Sequence, residues 1–150
     1  MRDLPSTASA DFWSSMSVTH REAIQAIIDD GHIVLPSGSR YICPGHARPD
    51  SDWDVYFFTT LKYATSMIRD GDWNSSEAGS AGDFQDSCSM YLGQTNPAIN
   101  AIAFFNEEDF RLFHDATVFC HEIGGPTDKS RRVEVFEAIR FHRHPNDVPF

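Results

Sequence analysis

Leu35–Phe58, LPSGSRYICPGHARPDSDWDVYFF, sets a Gly-Ser pair ahead of a polar loop and then two aspartates one residue apart that run straight into an apolar strand. Residues two apart on a strand point the same way. Asp52 and Asp54 therefore present two carboxylates side by side where the strand Trp53–Thr59 begins. Charges set against a core are costly unless something neutralises them. A shared proton, an arginine or a divalent cation would each do so. Only hard oxygen ligands are on offer, which points to Mg²⁺ or Mn²⁺ rather than zinc. Gly38 lets the backbone come close to a phosphate, the Ser39 hydroxyl and neighbouring amides can donate to it, and Arg40 adds a cation. The stretch is built like a site for a metal-bound nucleoside triphosphate.

Working outward, Ser17 or Thr19 can cap a helix running to about Asp30, with Ala23, Ile24, Ile27 and Ile28 as its apolar stripe and Gly31 closing it. HIVLP, between Gly31 and Pro36, reads as a strand. Trp53–Thr59 is apolar on both faces beyond Asp54, as in a strand covered from both sides. Residues 60–70 have helical spacing, and GDWNSSEAGSAGDFQDS reads as a polar, mobile loop. CSMYLG and AINAIAFF are two more strands. Asn106 caps a helix to about Cys120, its first turn acidic where the helix dipole favours negative charge. A last helix, from about Lys129 to Phe141, points Val133, Phe136 and Ile139 inward. The order is α+β: a small mixed β-sheet with helices packed on it.

The chain has 150 residues, 41% of them hydrophobic, with 22 acids against 12 Lys and Arg and a formal charge of −10. That length suits one domain, expected over residues 17–150, with residues 1–16 as a flexible N-terminal arm rich in Ser, Ala and Pro. The acidic balance argues against generic nucleic-acid binding, which depends on basic surface. No apolar run approaches the roughly 20 residues that span a bilayer, so no membrane association is expected. Cys43, Cys88 and Cys120 are an odd number without a Cys-x-x-Cys pair, and reduced thiols in a cytoplasmic setting account for them.

A hydrophobic residue, Gly-Ser, a loop, then Asp-x-Asp within a hydrophobic strand resembles the signature of the nucleotidyltransferase superfamily related to DNA polymerase β. Twelve residues, 40 to 51, separate Ser39 from Asp52. The segments SGSR…GHARPDSDWDVYFF and AINAIAFFNEEDFRLFHDAT look most like small, single-domain phage and prokaryotic versions, and DKSRRVEVFEAI is similar to their closing helix. The likeness spans residues 17 to about 141. It implies a nucleotidyltransferase-like fold, in host cytoplasm if phage-encoded. The implied activity is Mg²⁺- or Mn²⁺-dependent transfer of a nucleoside monophosphate from an NTP to an acceptor hydroxyl, on a protein or a small molecule, with release of pyrophosphate. Two metals, about 4 Å apart, would serve that chemistry. The match makes Asp52 and Asp54 the metal ligands and catalytic carboxylates, with Gly38 and Ser39 holding the triphosphate.

One position departs from the pattern. The family places a third carboxylate on a later strand, and the matching place here, in AINAIAF, is Asn100. An amide oxygen ligates a metal weakly and cannot serve as a base. Asp83, Asp86 and Glu107 are the nearby acids that could substitute. The alternative is thus a catalytically weakened or inactive relative that binds a nucleotide or a partner protein.

Other features have plainer readings. PDSD is also a good turn, which accounts for Asp50 but not for Asp54 inside the strand. His114, Cys120 and His121 share a helix without zinc-ligand spacing, and His46 reads as a solvated loop histidine. Lys129, Arg131, Arg132, Arg140, His142, Arg143 and His144 gather near the C-terminus, as a solvated helix end or as a clamp on the triphosphate or acceptor.

Overall fold

The structure, a computed structural model, describes residues 6–76, 86–93 and 97–141. Along the chain these form α1 (Ser6–Ser15), α2 (Val18–Asp29), β1 (Leu35–Ser37), α3 (Ser39–Ile42), a 3-10 turn (Pro44–His46), β2 (Trp53–Phe58) and α4 (Leu61–Asp70). Then come β3 (Trp73–Ser76), β4 (Ser87–Leu92), β5 (Ile99–Phe104), α5 (Glu107–Glu122) and α6 (Lys129–Arg140). The class is α+β. One five-stranded sheet has the order β1-β2-β5-β4-β3, in which β2 and β5 are parallel and the other neighbours antiparallel.

Alternation along β2 divides the core between two faces. Tyr56 faces α5: its hydroxyl meets His114 Nδ1 at 2.9 Å, and its ring lies 4.9 Å from that of Phe113. Phe113 in turn meets Phe136 of α6 at 4.8 Å. Trp53 and Phe57 point the other way, toward Phe12 of α1 and Tyr63 of α4, at 5.2 and 6.3 Å between rings. With both faces covered, Val55, Tyr56 and Phe57 are completely buried, and every residue of β5 is buried. This is why neither strand alternates in polarity.

The caps follow the sequence closely. The Ser17 hydroxyl accepts from the His20 amide at the start of α2, Thr60 from Tyr63 at α4, and Asn106 from Glu108 and Asp109 at α5. Asp128 caps α6 by accepting from the Ser130 amide. Each satisfies donors that the first helical turn leaves without an internal partner.

Several expectations need correction. Residues 6–16 are not a loose arm in this structure: they carry α1, and Phe12 and Met16 are only 3% and 2% exposed. Phe12 holds the helix on the core, its ring edge-on to those of Trp53 and Tyr41. The first strand lies at Leu35–Ser37 rather than over HIVLP. His32 instead turns back, its ring nitrogens meeting the Ile27 carbonyl and the Thr59 hydroxyl at 3.1 and 2.8 Å, while Ile33 is 75% exposed. The segment read as a polar mobile loop begins with β3, an edge strand anchored by buried Trp73 and paired with β4. Residues 77–85 of that loop, Asp83 included, lie outside the described residues, as do His142, Arg143 and His144. In α6 the deepest side chains are Val135, Phe136 and Ala138, with Val133 and Ile139 half-buried.

Candidate functional site

The pairing registers draw one row across the sheet. Ser37 stands opposite Asp54, Asp54 opposite Asn100, Asn100 opposite Tyr91, and Tyr91 opposite Asn74. Directly paired residues share a face. The row therefore collects a hydroxyl, a carboxylate, two amides and a phenol on the α5/α6 side, near the N-terminal ends of β2 and β5.

Gly38 completes the contact between β1 and β2. Its φ is +72°, a conformation that side chains beyond hydrogen disfavour. A Cβ built there would fall 2.8 Å from Asp54 Cγ and 2.9 Å from Asp54 Cβ. The Gly-Ser turn thus lies directly on the Asp54 carboxyl group. Ser37 just before it is tied to α5, its Oγ 3.2 Å from Thr117 Oγ1.

Asp54 itself is half-buried, and its carboxyl pKa is pushed up to about 6. Burial is the main cause and the charge of Asp52 the second. The Asn100 hydrogen bond and the positive fields of Lys129 and Arg132 pull in the other direction. The two aspartates are therefore close enough to repel, as anticipated. Lys129 and Arg132, in the first turn of α6, bring positive charge within electrostatic range of Asp54.

Asn100 is 8% exposed, and its Nδ2 donates to Asp54 Oδ1 at 3.2 Å. Its Oδ1 is buried without a hydrogen-bond partner. An orphaned buried acceptor beside a repelling carboxylate pair fits a site that takes a cation. Turning the amide over would bring its oxygen up to the carboxylate at a similar spacing. Neighbouring oxygens on a hard cation with metal–oxygen distances of about 2.1–2.3 Å lie about 3.0–3.2 Å apart. The donor set of two carboxylates and an amide suits Mg²⁺ or Mn²⁺. Among the described residues no group of three or more His, Cys, Asp and Glu side chains is gathered for a metal.

The acids considered as substitutes sit elsewhere. Asp86 receives the Asn106 amide side chain at 3.4 Å, and Glu107 pairs with Arg111 at 2.7 Å, both beyond the C-terminal end of β5. From Asn100 to that end is about four residues of strand, or roughly 13 Å.

Arg40 is not directed at the site as expected. Its Nε and Nη2 donate to the Ser51 and Pro49 carbonyls at 2.8 and 2.9 Å, and its guanidinium lies over the Trp53 ring at 4.3 Å. It fastens the loop that delivers Asp52. Burial lowers its pKa, while the charges of Asp52, Asp54 and Asp50 act to raise it. Arg132 likewise braces the fold, donating from Nη1 to the Thr127 and Pro126 carbonyls at 2.9 and 3.1 Å and approaching Cys43 Sγ at 3.6 Å.

Two features had no signal in the sequence. Tyr91 stands on β4 directly across from Asn100, and burial together with the charges of Asp52 and Asp54 raises its pKa. Behind the Arg40–Trp53 stack lie two clefts, of about 350 and 480 Å³, whose linings share Ser15, Arg40, Pro49 and Trp53. Neither is lined by Asp52 or Asp54. His20, buried and with Nδ1 unpartnered, borders the larger one. Among the described residues the other histidines are structural or solvated: His114 meets Tyr56, His121 stacks on Tyr41 at 4.1 Å, and His46 is exposed.

Comparison of the chain with protein-family models, with curated proteins and with solved structures finds no match in any of the three. No helix among the described residues is long and apolar enough to cross a membrane.

Proposed function

We propose that the chain is a nucleotidyltransferase-like protein that binds a nucleoside triphosphate with Mg²⁺ or Mn²⁺ at Asp52 and Asp54 and transfers the nucleoside monophosphate to an acceptor hydroxyl. The observation that carries this reading is the seating of the Gly38 backbone on the Asp54 carboxyl group, next to a buried amide oxygen without a partner. A turn pressed that closely on an acidic pair brings a phosphate tail and a cation ligand set to one place.

In this reading Asp52, Asp54 and the Asn100 oxygen hold the cation, which when bound neutralises charge on the phosphates and polarises phosphorus. Gly38 and Ser39 take the phosphate oxygens through backbone amides and the Ser39 hydroxyl. Lys129, exposed at the start of α6, and Arg132 supply positive field where the pyrophosphate end would lie. The acceptor oxygen bonds to the α-phosphorus as the bond to pyrophosphate breaks. An amide cannot take the hydroxyl proton, so it passes to a carboxylate of the pair or to water.

The test is incubation with each labelled NTP and Mg²⁺ or Mn²⁺. Pyrophosphate release that Asp54→Asn abolishes is the expected result, and no release with any nucleotide overturns the catalytic claim.

One observation favours a second reading, binding without turnover. Asn100 donates to Asp54 in place of a third carboxylate. A protein of this kind is stabilised against melting by NTP plus metal and releases no pyrophosphate. Absence of any melting shift with nucleotide or metal would sink both versions.

A further inference from the structure

At the C-terminal end of β2 the face that α5 covers is left partly bare. Leu35 stands opposite Tyr56, and the same pairing carried outward sets Ile33 opposite Phe58 and His32 opposite Thr59. The His32 Nε2 meets the Thr59 hydroxyl at 2.8 Å, so the chain keeps this register beyond the last paired residue. His32 lies on the side of Phe57, 5.4 Å between rings, and alternation turns Ile33 and Phe58 to the α5 side. On β5 the neighbour of Phe58 is Phe104, completely buried against Phe110 and Phe113 of α5. Over β2 and β1 that cover runs out. Phe58, 6.0 Å from the Phe110 ring, is 44% exposed, Ile33 is 75% exposed, and Leu61, 65% exposed, opens α4 just past the strand. One exposed apolar side chain is ordinary, but neighbours on one face mark a contact surface.

The borders of this patch are acidic. Residues 29–33, 58–63 and 107–111 together hold five acids against two cations. On one side Asp29 and Asp30 end α2, and Asp30 receives the Tyr63 hydroxyl at 2.7 Å. On the other, Glu107, Glu108 and Asp109 make up the first turn of α5, next to Phe110. One of the two cations, Arg111, is paired with Glu107 at 2.7 Å. A second copy of the chain, docked here about a two-fold axis, would set acid against acid. A helix laid beside α5, at the usual spacing of about 8–10 Å, would cover Ile33 and Phe58.

We propose that this face docks a basic amphipathic helix of another protein, its apolar stripe on Ile33 and Phe58 and its lysines or arginines against the acids of α2 and α5. The patch lies roughly 13 Å along β2 from Asp54, so the inference goes beyond the transfer reaction and stands without it.

The probe is a fluorescently labelled model helix of about five turns, leucines along one face and lysines along the other, titrated with the full-length protein and followed by anisotropy. Ile33→Ser with Phe58→Ser should weaken binding at least about tenfold, as loss of an interface anchor does, while near-ultraviolet circular dichroism stays the same. Val18→Ser, at a residue 59% exposed at the start of α2, should change nothing, which separates docking from general attraction to an acidic chain. Glu107→Gln with Glu108→Gln should also weaken binding, and wild-type affinity should fall as salt rises. Equal affinity in wild type and the Ile33/Phe58 variant overturns the proposal, as does equally tight binding of a model helix with glutamates in place of the lysines. Sedimentation velocity decides the other occupant: a wild-type dimer that the Ile33/Phe58 variant dissolves assigns the face to a second copy and overturns the basic partner.

Discussion

Asn100 and Asp54 stand side by side on the two parallel strands of the sheet, the amide donating to the carboxylate at 3.2 Å. This single contact supplies a donor where the family pattern resembled by the sequence has a third acid. It lowers the Asp54 pKa against a stronger upward push from burial and from Asp52.

The first prediction concerns pH. The folded Asp54 pKa, about 6, lies above an unfolded value of about 3.8, so the folded chain holds this proton more tightly. Its contribution to stability is fully present below about pH 4 and is lost as pH rises through 6. The shift is worth about 2–3 kcal/mol. Metal-free wild type should therefore lose stability between about pH 4 and 6.5 relative to Asp54→Asn, and the variant should be the more stable of the two at pH 7.5. Urea melts across that range check it. Parallel curves for the two proteins would show that Asp54 carries no such strain.

Gly38→Ala should destabilise the fold by about 2 kcal/mol or more, because the conformation is left-handed and the new methyl meets Asp54. Asp54→Ala removes the carboxyl atoms from that collision. A double-mutant cycle should then recover part of the loss, and additive effects would mean the clash is not with Asp54.

Asn100→Asp places a third acid against the pair. The expected outcome is a metal-free protein that melts lower at pH 7.5, Mn²⁺ binding at least about tenfold tighter, and faster pyrophosphate release if the wild type releases any. Calorimetric titration measures the affinity. Unchanged binding would exclude the position from the ligand set.

Phe12→Ala should cost about 3 kcal/mol, the usual loss for a buried phenylalanine, since Phe12 touches Trp13, Tyr41 and Trp53. Thermal unfolding of the full chain measures it. A negligible change would return residues 6–16 to the status of a loose arm.

What the sequence made legible follows from which signals are local. Ser17 and Asn106 announced their helices because capping needs only the next two or three amides. The nearness of the Gly-Ser turn to Asp54 was legible because a Gly-Ser turn and an acid inside an apolar run are each unusual, and their spacing lets β1 fold back on β2. Tyr91 was not legible: its place depends on β4 lying beside β5, and nothing in CSMYLG specifies that neighbour. The edge strand β3 was hidden because Asn and Ser dominate it and a single buried tryptophan holds it. Arg40 was misjudged because a cation beside a glycine turn looks the same in sequence whether it meets a ligand or its own loop carbonyls.

Pro36 occupies the middle of β1, the strand at one border of the sheet. Proline brings no amide hydrogen, and only three residues are paired there, so a stray extended peptide finds no continuous ladder to zip onto along that side. The flank that carries the Gly38 turn is in this way shielded from self-templated growth.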